Sequence, residues 1–161
     1  MDVFEAIYKR RSVRNFTGDP IPREDLEKIV DAGRLAPSGN NLQPWEFIVV
    51  TDRCIITEIK SIANWIENAS AVIAVVMDST SRWWIEDGSA AVENMMIACT
   101  ALGYGSCWLE GYTLLREEPL KMLLGIPANR RLMTLVPIGV AKEWPEKEKK
   151  PLGAVIHWEK Y

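Results

Sequence analysis

Residues 86–102, EDGSAAVENMMIACTAL, place small and apolar side chains almost all the way around a helical wheel. A helix without a broad polar face has to be enclosed by other elements. The chain is therefore expected to fold around a central buried helix, with Gly103 as the residue that ends it. Residues 71–77, AVIAVVM, read as a strand buried on both faces. The same run is far too short to span a bilayer. A chain of 161 residues can enclose both elements, because one of this size buries roughly 70% of the surface its unfolded form exposes. With 48% hydrophobic and 25% charged residues it needs no disulfide or structural metal to do so, and residues 1–161 are expected to form one domain.

The remaining segments alternate between helix and strand. Residues 2–10 are expected to be helical, with Val3, Phe4, Ile7 and Tyr8 at one-face spacing. A turn at 17–20 leads to a helix opened by Pro22, Glu24 and Asp25, with Leu26, Ile29, Val30 and Leu35 as its apolar positions. Residues 36–44 are loop by composition, 45–51 a strand and 53–63 a short helix. A short strand is expected at 106–109, a helix at 117–124 ended by Gly125, and a strand at 131–141. Pro137 suggests that the last strand is an edge or carries a bulge. Lys142–Lys150 is a charged, solvated stretch, and the tail 151–161 is apolar enough to dock on something. This interleaving predicts an α/β or α+β sandwich of helices on a sheet.

Charge and rare residues narrow the chemistry. Nineteen basic and 22 acidic residues give a net charge of −3, which ranks nucleic-acid binding low. His157 is the only histidine, so a His-rich zinc site is excluded and any His-based relay has to use it. Cys54, Cys99 and Cys107 make no CxxC and read as reduced thiols of a cytoplasmic protein. The opening MDVFEAIYKRR carries acids and no long apolar run, unlike a signal peptide.

Three segments offer binding chemistry. Arg10, Arg11, Ser12 and Arg14 suit a phosphate through charge-assisted hydrogen bonds. The same cations at a helix C-terminus also complement the helix dipole and face water. The stretch 36–45, APSGNNLQPW, gathers amides and hydroxyls able to read the polar edge of a planar heterocycle, and it equally has the composition of an ordinary turn. Trp108-Leu109-Glu110-Gly111 ends a strand with a glycine that admits close backbone approach. Asp87 is expected to cap the long helix. Among seven tryptophans, Trp65, Trp83 and Trp84 are candidate platforms for a flat ligand, with core or interface packing as the plainer role.

In order and spacing, RRSVR (10–14), APSGNNLQPW (36–45), GSAAVENMMIACTALGYGSCW (88–108) and KKPLGAVIHWEKY (149–161) resemble the FMN-dependent nitroreductase family in its short single-domain form. The resemblance implies an α+β sandwich, a mainly antiparallel sheet flanked by helices. It also implies an intertwined homodimer with two FMN sites built from both chains. Carried over by position, Arg10, Arg11 and Ser12 hold the phosphate and ribityl region, with Lys147 and Lys149 adding charge. Arg14 lies near the flavin N1/O2 edge. Pro37, Ser38 and Asn41 reach the isoalloxazine from the other subunit, and the backbone of Glu110 and Gly111 contacts the ring near N5. The implied activity is ping-pong hydride transfer from NADH or NADPH through N5 to nitroaromatics, quinones or similar flat small-molecule acceptors. No side-chain nucleophile is needed, in keeping with a single histidine. Reductive dehalogenation, enoyl-type reduction, flavin consumption or flavin binding without turnover are alternatives on the same fold. Larger members carry an insertion that shapes the pocket. In a chain of this length the site is expected to be open, or roofed by Trp65, Trp83 and Trp84.

Overall fold

In the computed structural model, which describes residues 1–161, the apolar run 71–77 becomes a strand with every residue buried. The helices are α1 (Val3–Lys9), α2 (Arg23–Arg34), α3 (Arg53–Ile59), α4 (Trp84–Ala101), α5 (Gly111–Leu115) and α6 (Glu117–Leu124). The strands are β1 (Trp45–Val50), β2 (Ala71–Met77), β3 (Gly105–Ser106) and β4 (Arg131–Gly139). They form one antiparallel sheet in the order β1-β2-β4-β3. The architecture is the α+β sandwich.

The alternation of β2 divides the core in two. Ala71, Ile73, Val75 and Met77 face α2 and α4, packing with Leu26, Ile29, Ala91, Val92, Met95 and Cys99. Val72, Ala74 and Val76 face the opposite layer, with Ile56 and Ile59 of α3, Leu120 of α6, and Phe16. Each of the Val, Leu, Ile, Met and Phe side chains among them stabilises the fold by roughly 1.5–3 kcal/mol when fully buried. Enclosure of α4 follows from this layering, since it packs against α1, α2 and all four strands.

β4 departs from the expectation drawn from Pro137. It lies inside the sheet, between β2 and β3. The Pro137 carbonyl accepts a hydrogen bond from Cys107 N at 3.2 Å, so its N–H-less nitrogen faces the same neighbour, just beyond the end of β3. The missing donor thus falls where the ladder thins. A bulge exists, but at Met133, since Val75 pairs with Thr134 and Val76 with Leu132. The extra residue puts Met133 in the α4 layer between Leu132 and Leu135 of the other layer.

Other boundaries moved. β3 is shorter than expected, with Leu109 making only an isolated bridge to Leu135. Helix α5 fills a stretch to which the sequence assigned no element, and α3 ends at Ile59. Leu35 lies beyond α2 and is exposed. Only Ala6 of α1 is buried; Val3, Phe4, Ile7 and Tyr8 form an apolar face with nothing over it.

Candidate functional site

The end of α1 and the charged stretch 142–150 meet. Ile7, Tyr8, Arg10 and Arg11 face Lys147, Glu148 and Lys149 across a cleft of about 630 Å³, with Glu93 of α4 completing the lining. Four cations against two carboxylates suit an anionic group such as a phosphate. Arg10 Nε lies 3.1 Å from Glu93 Oε1, so the guanidinium is oriented from α4. Arg11 Nη1 donates to the carbonyls of Tyr8 and Arg10, each at 2.7 Å.

Beyond Arg11 the chain runs alongside β3. Ser12 pairs with Ser106 in a parallel bridge, and Val13 N donates to the Ser106 carbonyl at 2.9 Å. Gly105 permits this approach, for a Cβ there would come within 2.7 Å of Val13 Cβ. Arg14 is exposed, its Nη1 3.5 Å from the Ser12 carbonyl. Burial pushes the Cys107 thiol up, while Arg14, Ser12 and Arg10 pull the other way. From Cys107 the chain proceeds to Glu110 and Gly111. A Cβ on Gly111 would meet nothing within 4 Å, which leaves the backbone open to a ligand.

The 36–44 loop is built separately. A 3₁₀ turn at Gly39–Asn41 holds Asn40 and Asn41 at φ of 51° and 57°, and Gln43 just beyond it is at 50°. Three left-handed residues without a Cβ-free side chain among them strain the turn, and surrounding contacts have to hold it. Gln43 N donates to Ser38 Oγ at 3.0 Å, and Gly39 N donates to Asp87 Oδ1 at 2.9 Å. Asp87 is therefore not the cap of α4; that place is taken by Trp83, whose side chain makes no capping bond. The Trp83 ring covers Gly39, where a Cβ would lie 2.2 Å from Cε3.

Ser38 is half-buried, and Pro37 and Asn41 are exposed. None of the three lines the cleft of Arg10, which contains no residue of this loop. The tryptophans do not form one roof. Trp65 pairs with Phe16 at 6.3 Å against the layer of α3 and α6. Trp84 packs on the other layer and carries Arg131 over its ring at 5.3 Å. Glu93 and Tyr8 were missed as cleft residues; the signal for Glu93 was an acid in the middle of α4, beyond the Glu86 and Asp87 pair of its first turn.

The family model described as "Nitroreductase family" matches residues 7–67 and 57–140. A protein of Archaeoglobus fulgidus, provisionally named NADH dehydrogenase/NAD(P)H nitroreductase, is 42% identical over 153 residues, covering 88% of this chain and 87% of that one. Human iodotyrosine deiodinase 1 is 26% identical over 196 residues, covering 96% and 68%. A Bacteroides thetaiotaomicron structure, with the same provisional name as the archaeal protein, superposes at TM-score 0.91 with 29% identity, covering 99% and 98%. A Bacteroides fragilis nitroreductase with bound FMN superposes at 0.85 with 26% identity, covering 99% and 100%. With the family model running across both core layers and the cationic turn after α1, the chain belongs to the nitroreductase family.

Proposed function

We propose that the protein is an FMN-dependent oxidoreductase that draws electrons from NADH or NADPH and delivers them to flat acceptors such as nitroaromatics or quinones. The observation that carries this reading is the convergence of Arg10, Arg11, Lys147 and Lys149 on one cleft. Their chemistry fits the phosphate of FMN. When bound, FMN supplies the two-electron chemistry.

The side chains bind and bias the cofactor. Arg10, Arg11, Ser12, Lys147 and Lys149 hold the phosphate and ribityl end. Arg14 supplies positive charge for the ring edge that gains negative charge on reduction. The open space at Gly111 lets the ring come close to the backbone of Glu110 and Gly111. Pro37, Ser38 and Asn41 serve the site of a second copy, in a homodimer. Their separation from the Arg10 cleft supports that assignment, as do the uncovered apolar residues Phe4, Ile7 and Tyr8 of α1 and Leu152, Val155 and Trp158 of the tail. The unpaired edge of β1 adds a third surface for a partner. A cytoplasmic setting, where NAD(P)H is available, belongs to the same reading; no helix of the chain is long and apolar enough to cross a membrane.

Absorption spectra of the purified protein before and after anaerobic NADH or NADPH test the reading. Flavin bands that bleach support it. Bands that persist move the weight to flavin binding without turnover, and their absence after incubation with FMN overturns the reading. The likeness to iodotyrosine deiodinase favours one second reading, reductive dehalogenation. Faster turnover of a halotyrosine than of a nitroaromatic by the reduced protein selects it.

A further inference from the structure

Asp87 is 5% exposed, and its carboxylate makes one hydrogen bond, from Oδ1 to the Gly39 N–H; Oδ2 is buried without a partner. Burying a carboxylate with so little compensation costs free energy, and such a group calls for a local reason. The reason lies one helical turn away. Trp83 and Asp87 share the first turn of α4, joined by an Asp87 N to Trp83 O hydrogen bond of 2.8 Å. Both side chains converge on Gly39, the ring against its Cα and the carboxylate on its N–H. Gly39 begins the strained turn with left-handed Asn40, Asn41 and Gln43. The local bonds Asn41 N to Ser38 O and Leu42 N to Gly39 O close the turn but do not tie it to the rest of the molecule. Asp87 does.

We propose that Asp87 is a positioning residue. Anchored on α4, it fixes the turn at Gly39 so that Pro37, Ser38 and Asn41 are presented in working geometry to the FMN of the partner subunit. The proposal rests on the reading that this loop serves the second copy's site. Asp87 does not line the Arg10 cleft, and the bond of its carboxylate to Gly39 N carries its effect on cofactor binding through the loop. Asp87→Ala leaves the Gly39 N–H unsatisfied and frees the turn; Asp87→Asn keeps an acceptor oxygen of the same reach.

The test uses mixed dimers, made by co-expressing two differently tagged chains, with FMN stoichiometry and affinity read by fluorescence quenching. Asp87→Ala homodimers are expected to bind FMN at least about tenfold more weakly, and Asp87→Asn homodimers within about threefold of wild type. In a dimer of one Arg10→Ala chain and one Asp87→Ala chain, presentation to the partner's site puts both defects in one site and leaves the other intact. One FMN per dimer is then bound with wild-type affinity. If Asp87 acts on its own subunit's site, or merely on global stability, both sites are impaired, and the proposal is overturned. Wild-type affinity in the Asp87→Ala homodimer overturns it directly. Wild-type affinity in the Arg10→Ala homodimer instead removes the phosphate assignment, so failure of the underlying reading shows up separately.

Discussion

Arg10 is held before any ligand arrives, because Glu93 lies 3.1 Å from its Nε and the side chain is only 20% exposed. A guanidinium oriented in advance loses little freedom on meeting a phosphate. Arg10→Ala is expected to weaken FMN binding by about 1.5–3 kcal/mol, the scale of a charge-assisted hydrogen bond. Fluorescence titration checks this, and an unchanged affinity removes Arg10 from the phosphate site. Asp78 makes a second residue-scale case. The Thr80 hydroxyl at 2.7 Å, the Thr80 N–H at 3.0 Å and Arg130 at 2.6 Å hold its carboxyl down at about 2. Since the folded value lies below the ordinary 3.8, the contribution to stability is present above that value and fades as pH falls toward 2. Asp78→Asn is expected to melt lower than wild type near neutral pH, with the difference closing as both are acidified toward about pH 2. A gap that persists at the acidic end shows that the contribution does not come from ionisation.

At the scale of elements, close approach rather than propensity decides how the cationic segment sits on the sheet. Gly105 admits Val13 so tightly that a Cβ would fall 2.7 Å from both Val13 Cβ and Cγ1. Val is β-branched and stiff, with little room to turn aside. Gly105→Ala is expected to cost about 1–3 kcal/mol, read by urea denaturation, and to weaken FMN binding by displacing Ser12 and Arg14 together. Unaltered stability shows that the segment can slide along β3. What was legible in the sequence follows the same division. The α4 helix and β2 were readable because their periodicity and burial extend over many residues. β4 was readable as a strand, but its place was not, since Pro137 argues for an edge until its nitrogen is seen to face the end of β3. The bulge at Met133 leaves no mark in composition. α5, with the sequence GYTLL, has neither an N-terminal cap nor a full turn of periodic apolar residues, and its position follows from packing on β4. The residues of the Arg10 cleft were named from resemblance; spacing alone left them between a phosphate site and a solvated helix end. Asp87 misled for a reason of distance, because its partner Gly39 is 48 residues away.

Across the whole molecule, two of the apolar surfaces left uncovered lie near opposite ends of the sequence. Phe4 and Tyr8 of α1 are 67% and 73% exposed, and Leu152 and Trp158 of the tail are 71% and 76% exposed. Stable interfaces bury on the order of 1,600 Å² in total, and side chains of this size are what fill them. Deleting residues 151–161 is expected to give a monomer that no longer retains FMN through gel filtration, with sedimentation velocity as the check. A truncated chain that stays dimeric removes the tail from the interface. The cleft has the same two-ended construction, and it sets an order on biosynthesis. Arg10 and Arg11 precede every strand and Lys147 and Lys149 follow the last one, so a nascent chain carries half of the proposed phosphate cradle until β4 has been synthesised. Neither core layer includes a residue that lines the cleft, so the fold does not draw its buried surface from the cofactor. In a cell short of riboflavin, apo-protein is expected to accumulate folded rather than be degraded for want of its ligand.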